Sequence, residues 1–214
     1  MVRSAGASRR TSRADQADQR RAELLDATRR VVLERGLAAT RVADIAKEVN
    51  VSGGLIHYHF ATKDELITAM LRATLEEESA RLAELTRGPG GAVERLDRVL
   101  RFYIPESRTD QSWILWIDAW TVAVREPAVR EIVRELEEAW VGAVRRVIEL
   151  GVSTGEFRCP DPHGAAERID AMLDGLIIRY SLHSAPLTRE RLLDHARTAA
   201  ARETGVPRSA FPGG

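Results

Sequence analysis

Apolar and polar positions alternate at a helical period between residues 42 and 60, stop, and resume. Val42, Ile45, Ala46 and Val49 fall at i, i+3, i+4 and i+7, the spacing of one buried helical face. Asp44, Lys47 and Glu48 occupy the wet side, and Thr40 stands where a side-chain oxygen can cap the first turn. A second helix begins after Ser52, itself a good N-cap. In it Ile56 and Phe60 turn inward, while Gly54, His57 and Tyr58 share another face by the i, i+3, i+4 rule. Two short helices joined by a tight turn predict a helix-turn-helix.

The flanks complete a small domain. Leu24, Leu25, Thr28, Val31 and Val32 form the inward stripe of a helix over 18–35, and Gly36 is placed to end it. Thr62 followed three residues later by Glu65 is a capping box, opening a long helix to about Leu85 that joins the first domain to the rest. Gly88-Pro89-Gly90-Gly91 then interrupts the chain. Helical period returns in Val93 to Tyr103, Trp113 to Val124 and Val129 to Val147, with Pro127 suited to a first turn. A loop is expected over 151–163, then helices over about 163–184 and 188–203, split by Pro186. No stretch reads as a strand. The expected fold is all-α, with about nine helices: a basic disordered tail (1–17), a three-helix helix-turn-helix domain (18–64), a larger helical domain (65–204), and a disordered end (205–214).

The second helix of the motif carries chemistry on its free face. Gly53 and Gly54 lack a Cβ, so another surface can approach the backbone closely. Two imidazoles (His57, His59), the Tyr58 phenol and Lys63 add donors suited to phosphate oxygens and base edges. A metal site from His57 and His59 is not expected, because residues two apart diverge by about 200° around a helix.

The run from Val42 to Phe60, followed by Thr62-Lys63-Asp64-Glu65-Leu66, resembles the DNA-binding module of the tetracycline-repressor (TetR) family of transcription regulators. The family pattern of His or aromatic, variable residue, Tyr or His, then Phe, with Lys three further on, is met by His57, Tyr58, His59, Phe60 and Lys63. Many members carry Lys or Pro where this chain has Gly53. The resemblance implies a homodimer on a partly palindromic double-stranded operator. It places Thr40, His57, Tyr58, His59 and Lys63 at phosphates and Ser52, Gly53, Gly54 and Leu55 nearer the bases.

Charge sharpens this picture. The 214 residues balance to a net charge of zero. Residues 1–63 nevertheless carry 12 Lys+Arg against 7 Asp+Glu, a surplus of five that the remainder cancels with 20 against 25. One basic end and an acidic remainder suit a protein that meets phosphate at one end only. Arg3, Arg9, Arg10 and Arg13 form an N-terminal arm that either tracks DNA or is merely solvated. No apolar run approaches the roughly 20 residues of a membrane span, and no signal-peptide core is present, so a cytoplasmic protein is expected. A single cysteine, Cys159, agrees with a reducing compartment.

Trp113, Trp116, Ile117, Trp120 and Val124 lie within about a 100° arc of one helix. Such a stripe is either core or the wall of a ligand site, and buried indole N–H groups need partners. From Trp113 to Leu187 the chain resembles the choline-responsive, BetI-like branch of the family, including Gly151, Gly155-Glu156-Phe157 and Asp174-Gly175-Leu176. An aromatic face suits a quaternary ammonium. Asp118, however, falls on the opposite side of that helix, so the helix alone builds no choline cage and the inducer stays unassigned. Phe102, Trp113, Trp116, Ile117, Trp120, Trp140, Met172 and Leu176 are the candidate ligand residues. Leu173, Ile177, Tyr180, Leu192, Leu193, Ala196 and Ala199, on the last two helices, are the candidate dimer face.

The expected function is a repressor released from its operator by a small molecule, with no cofactor and no metal. A ligand-independent architectural DNA binder would instead fill the interior around the tryptophans. An all-helical enzyme finds little support, since His163, His183 and His195 are scattered and form no catalytic or metal-spaced set.

Overall fold

The computed structural model describes residues 13–182 and 187–213. Among them stand nine α-helices, one 3₁₀ turn and no strand. The chain divides into two compact units, 1–70 and 71–214, the division falling within a single helix.

In the first unit α1 (Arg13–Arg35), α2 (Val42–Glu48) and α3 (Gly53–His59) pack with the start of α4 (Lys63–Arg87). Their core is Leu24, Ala27, Val31, Ile45, Ala46, Ile56, Phe60 and Leu66, the inward positions of each periodic pattern. α1 begins at Arg13 and not Asp18, so residues 13–17, expected in a disordered tail, are helical. Arg3, Arg9 and Arg10 lie outside the described residues. Gly36 follows α1 at φ 84°, the left-handed conformation that costs glycine least.

The α2–α3 turn is a Schellman closure. Val51 N–H donates to the Ala46 carbonyl at 2.9 Å and Asn50 N–H to Lys47 at 3.2 Å, with Asn50 at φ 52°. Ser52 caps α3 by accepting the Leu55 N–H. Thr62 accepts from Glu65 N–H at 3.1 Å, and Glu65 reaches back to the Ala61 N–H at 2.8 Å, one residue beyond the usual partner of a capping box. Ion pairs from α1 to α2, Arg30–Glu48 at 2.8 Å and Arg35–Asp44 at 3.5 Å, use the wet side of α2.

The second unit holds the rest of α4 with α5 (Ala92–Tyr103), α6 (Gln111–Ala123), α7 (Pro127–Thr154), α8 (Pro162–Ser181) and α9 (Arg189–Thr204). α7 is the hub: α5, α6 and α8 all pack against it, and α9 packs on α5 and α8. Pro127 sits in the first turn of α7, as expected. The loop expected from Gly151 starts four residues later, because Gly151 is still helical and Gly155 ends the helix at φ 77°. Gly151 is needed for packing: a Cβ there would fall 2.1 Å from the Phe157 ring. Glu156 then caps α5, accepting the Ala92 N–H at 2.8 Å, a bond that holds its carboxyl below the usual glutamate range. Of the motif Gly151, Gly155-Glu156-Phe157, every member thus serves architecture. Pro186 and His183 lie outside the described residues.

The C-terminal segment, expected to be a disordered tail, is ordered. Arg208–Ala210 forms a 3₁₀ turn and Phe211 is buried. Its lone aromatic ring gave no periodic signal. Cys159 is buried and unpaired.

Candidate DNA-binding face and ligand cavity

The recognition helix α3 keeps its inward and outward faces as the periodicity predicts. Ile56 and Phe60 are 1% exposed, while Tyr58 is 82% exposed and His57, Ser52 and Gly54 are open to solvent. A large aromatic side chain so exposed is unexplained by packing and marks a contact surface. Tyr58 and His59 stack edge to face, ring centroids 5.1 Å apart, which presents the phenol and an imidazole together. A Cβ at Gly53 would meet nothing, so the backbone at the start of α3 is bare of side-chain cover.

Two residues of the expected phosphate set bond within the protein. Thr40 is 1% exposed and donates its hydroxyl to the Gly36 carbonyl at 2.8 Å. It does not cap α2, whose N-cap is Arg41 with no side-chain bond. The positive-φ glycine brings its carbonyl within reach, and the buried hydroxyl takes the nearest acceptor. Lys63 is half-buried, its ammonium against the carbonyls of Leu37 (3.5 Å) and Ala38 (3.3 Å), so it braces the end of α1.

In the second unit the tryptophan stripe of α6 lines a cavity of about 60 Å³. Trp113, Trp116 and Trp120 face Trp140 of α7 and Tyr103 of α5. Ring centroids are 4.4 Å apart for Tyr103–Trp140, 5.4 Å for Tyr103–Trp113 and 5.9 Å for Trp113–Trp120, all edge to face. Two of the indole N–H groups are satisfied at the rim. Trp113 donates to the Tyr103 carbonyl at 2.8 Å and Trp116 to Glu78 of α4 at 2.7 Å, where Ser112 also donates. The cavity thus has an aromatic wall held in fixed orientation.

The remaining wall sets three acids beside Val133 and Leu136, which the periodicity of α6 could not reveal. Glu137 of α7 and Asp170 and Asp174 of α8 line the same space. Tyr103 Oη stands 2.9 Å from Asp170 and 2.5 Å from Asp174. Among the described residues no arginine or lysine is ion-paired with any of the three acids. Burial, reinforced by the Asp174 charge, pushes Asp170 up to about 7; burial likewise raises Asp174 to about 6. Tyr103 is raised by burial and by both carboxylates. The cavity thus sets carboxyl groups without an ion-paired base against indole faces.

Of the eight expected ligand residues, Trp113, Trp116, Trp120 and Trp140 line the cavity. The other four do not. Phe102 stacks on the outer side of Trp140, centroids 5.4 Å apart, and Ile117, Met172 and Leu176 are half-buried elsewhere on their helices. Tyr103, Val133, Leu136 and the three acids were missed. Asp174 was marked only through its motif, Asp174-Gly175-Leu176.

Most residues expected at the dimer face are buried within the single chain. Leu173, Ile177, Tyr180, Leu192, Leu193 and Ala196 are all under 9% exposed in the single chain, where α8, α9 and α5 pack together. Ala199 alone of that set is half-exposed.

A helix-turn-helix with an open recognition face, joined to a helical unit holding a small cavity lined by aromatic and acidic side chains, defines the class: a DNA-binding regulator that senses a small molecule. Comparison with known proteins gives the family. Residues 24–70 match the profile of the bacterial regulatory proteins of the tetR family, and residues 92–205 match that of the BetI-type transcriptional repressor C-terminal domain. The HTH-type transcriptional regulator BetI of Rhizobium meliloti is 31% identical over 173 residues, covering 80% of this chain and 82% of that protein. A transcriptional regulator from Saccharomonospora viridis, solved in complex with choline, superposes with a TM-score of 0.78 at 26% identity over 85% of this chain and 95% of that one. A TetR-family regulator from a Rhodococcus species gives 0.73 at 27% identity, over 87% and 99%. The chain belongs to the tetR family of bacterial transcriptional regulators, with a C-terminal domain of the BetI type. It is a ligand-responsive DNA-binding regulator and not an enzyme.

Proposed function

We propose that this protein is a cytoplasmic homodimeric repressor released from a partly palindromic operator by a quaternary ammonium ligand of the choline class. The observation that carries the ligand is the cavity itself, with indole and phenol faces on one side and three acids without a basic partner on the other. Methylated ammonium groups are held by aromatic faces through the ring quadrupole, and a carboxylate completes the neutralisation. The Saccharomonospora viridis relative was solved with choline, which agrees.

The cavity of about 60 Å³ holds roughly two waters. A choline cation is larger, so its entry spreads the helices that line the space. That spreading is the switch: it changes the arrangement of the paired recognition helices, and contacts at both half-sites fall together. His57, Tyr58 and His59 contact phosphates, and Ser52, Gly53, Gly54 and Leu55 approach base edges. A dimer is required because one recognition helix reads too few base pairs for a specific site. Its interface is assigned to the outward strips of α8 and α9, around Met172, Leu176 and Arg179 with His195 and Ala199, which are not used in the core.

Isothermal titration calorimetry with choline and with its neutral isostere 3,3-dimethylbutanol tests the ligand. Choline is expected to bind at least roughly tenfold more tightly, the order of a desolvated cation–π contribution. Equal affinities would remove the cationic reading.

A further inference from the structure

We propose, building on the cationic-ligand reading above, that the ligand binds in exchange for a proton released from the Tyr103–Asp170–Asp174 cluster, so that induction weakens as pH falls. Tyr103 has a single proton to offer two carboxylates. Tyr103 Oη approaches an oxygen of each carboxylate at hydrogen-bond distance, 2.9 and 2.5 Å, yet a phenol carries a single proton that points along one direction. The second close oxygen contact is accounted for by a proton on one of the carboxylates. Asp170, buried, and Asp174, half-buried, are one helical turn apart on α8 and project to the same side, so two bare charges would face each other, with the exposed Glu137 of α7 beside them.

The surrounding charges favour this state. No basic group lines the cavity: α6 contributes only indoles, α5 contributes Tyr103, and Glu78 of α4 is committed to Trp116 and Ser112. The three acids also form the floor of an open groove between α7 and α8. Across that groove stand Arg134, Glu138, Arg145 and Arg146 on α7 and His163 and Glu167 on α8. Arg134 is paired with Glu131 and Glu138, Arg145 with Glu149, and His163 lies 3.4 Å from Glu167. Arg146, exposed in the same groove, is ion-paired with neither aspartate, so among the described residues the carboxylates of α8 have a route to solvent and no ion-paired base. Burial and mutual repulsion raise both, in keeping with a proton held near neutral pH.

The charge balances. The ligand brings one positive charge, one proton leaves the carboxylate pair through the groove to buffer, and the net charge of the site is unchanged. Tyr103 keeps its own proton and donates it to one carboxylate, and the other turns to the ligand. Affinity is full where the pair is already ionised and falls where protons must be displaced. With the higher of the two groups titrating at about 7, binding at pH 6 should be about tenfold weaker than at pH 8.

The test is calorimetry of the full-length protein with choline at pH 6, 7 and 8, each in two buffers of different ionisation enthalpy. The expected result is release of close to one proton per site at pH 6 and nearly none at pH 8, with about tenfold loss of affinity. Asp170→Asn should bind choline with a flatter pH profile and little proton release. Tyr103→Phe removes the bond that holds both carboxyls down, so its profile should move to higher pH, an effect that loss of packing would not give. His163→Gln should leave the profile unchanged; if it alone flattens the profile, the proton comes from His163 and the proposal is overturned. Choline binding with no buffer dependence and a flat profile overturns the exchange while leaving the ligand class intact. Absence of binding by choline at every pH overturns both.

Discussion

Arg197 grips Asp97 through two nitrogens, 2.7 and 3.2 Å from its carboxylate oxygens, with both side chains nine-tenths buried. The pair ties α9 to α5, and neither residue stands out in the sequence, since an arginine and an aspartate a hundred residues apart share no local pattern. Asp97→Ala should destabilise by about 3–5 kcal/mol, because it strands a buried guanidinium. Replacing both by apolar residues of similar volume should cost much less. Urea unfolding of the single and double variants measures the difference.

Asn50 holds the helix-turn-helix turn in the left-handed region. Asn50→Gly should leave stability within about 0.5 kcal/mol of the parent, whereas Asn50→Val should cost about 1–2 kcal/mol, the strain of a branched residue at positive φ. Thermal melts of the two variants compare these directly.

The recognition face should separate folding from binding. Tyr58→Ala removes no core contact and should change stability by less than about 0.5 kcal/mol while weakening operator binding. His57→Ala should weaken all DNA sequences in similar measure, and Leu55→Ala should alter preference among operators. Thr40→Val, by contrast, should lower stability by about 1 kcal/mol through its lost bond to Gly36 and leave the salt slope of DNA binding unchanged. Anisotropy over a salt series with two operators reads the binding of all four variants, and thermal melts read their stability.

The acidic cluster has a consequence even without ligand. Asp170 and Asp174 are raised on folding, so the folded state binds more protons than the unfolded one between the ordinary carboxylate range and about pH 7. Stability from these groups is therefore greater at low pH and is lost as pH rises through the folded values. Ligand-free protein should gain about 1 kcal/mol from pH 8 to pH 6, and Asp170→Asn should remove most of that gain. Denaturant midpoints at the two pH values check the sign.

What was legible in the sequence follows the range of the signal. Ile45, Ala46, Ile56 and Phe60 reveal the helix-turn-helix because short amphipathic helices write their burial into local spacing. The indoles of α6 were legible for the same reason. Asp170, Asp174 and Glu137 were not, because a cavity wall drawn from separate helices has no period. The faces of α8 and α9 misled in the opposite sense. Apolar spacing at Leu173, Ile177 and Leu192 says that a face is buried but not against what, and here it is the chain's own core. The family pattern alone points Lys63 and Thr40 toward phosphates. Their polar groups instead satisfy carbonyls of the turn after α1, which only the folded geometry brings near.

The most direct test of the account is fluorescence anisotropy of the protein on its operator, with choline and with 3,3-dimethylbutanol added at equal concentration and pH 8. Release of the operator by choline alone is the predicted result, with the half-effective concentration raised in Asp174→Asn. Release by both compounds, or retention of the operator while choline demonstrably occupies the protein, would contradict the claim that a cation in the aromatic and acidic cavity works the DNA-binding switch.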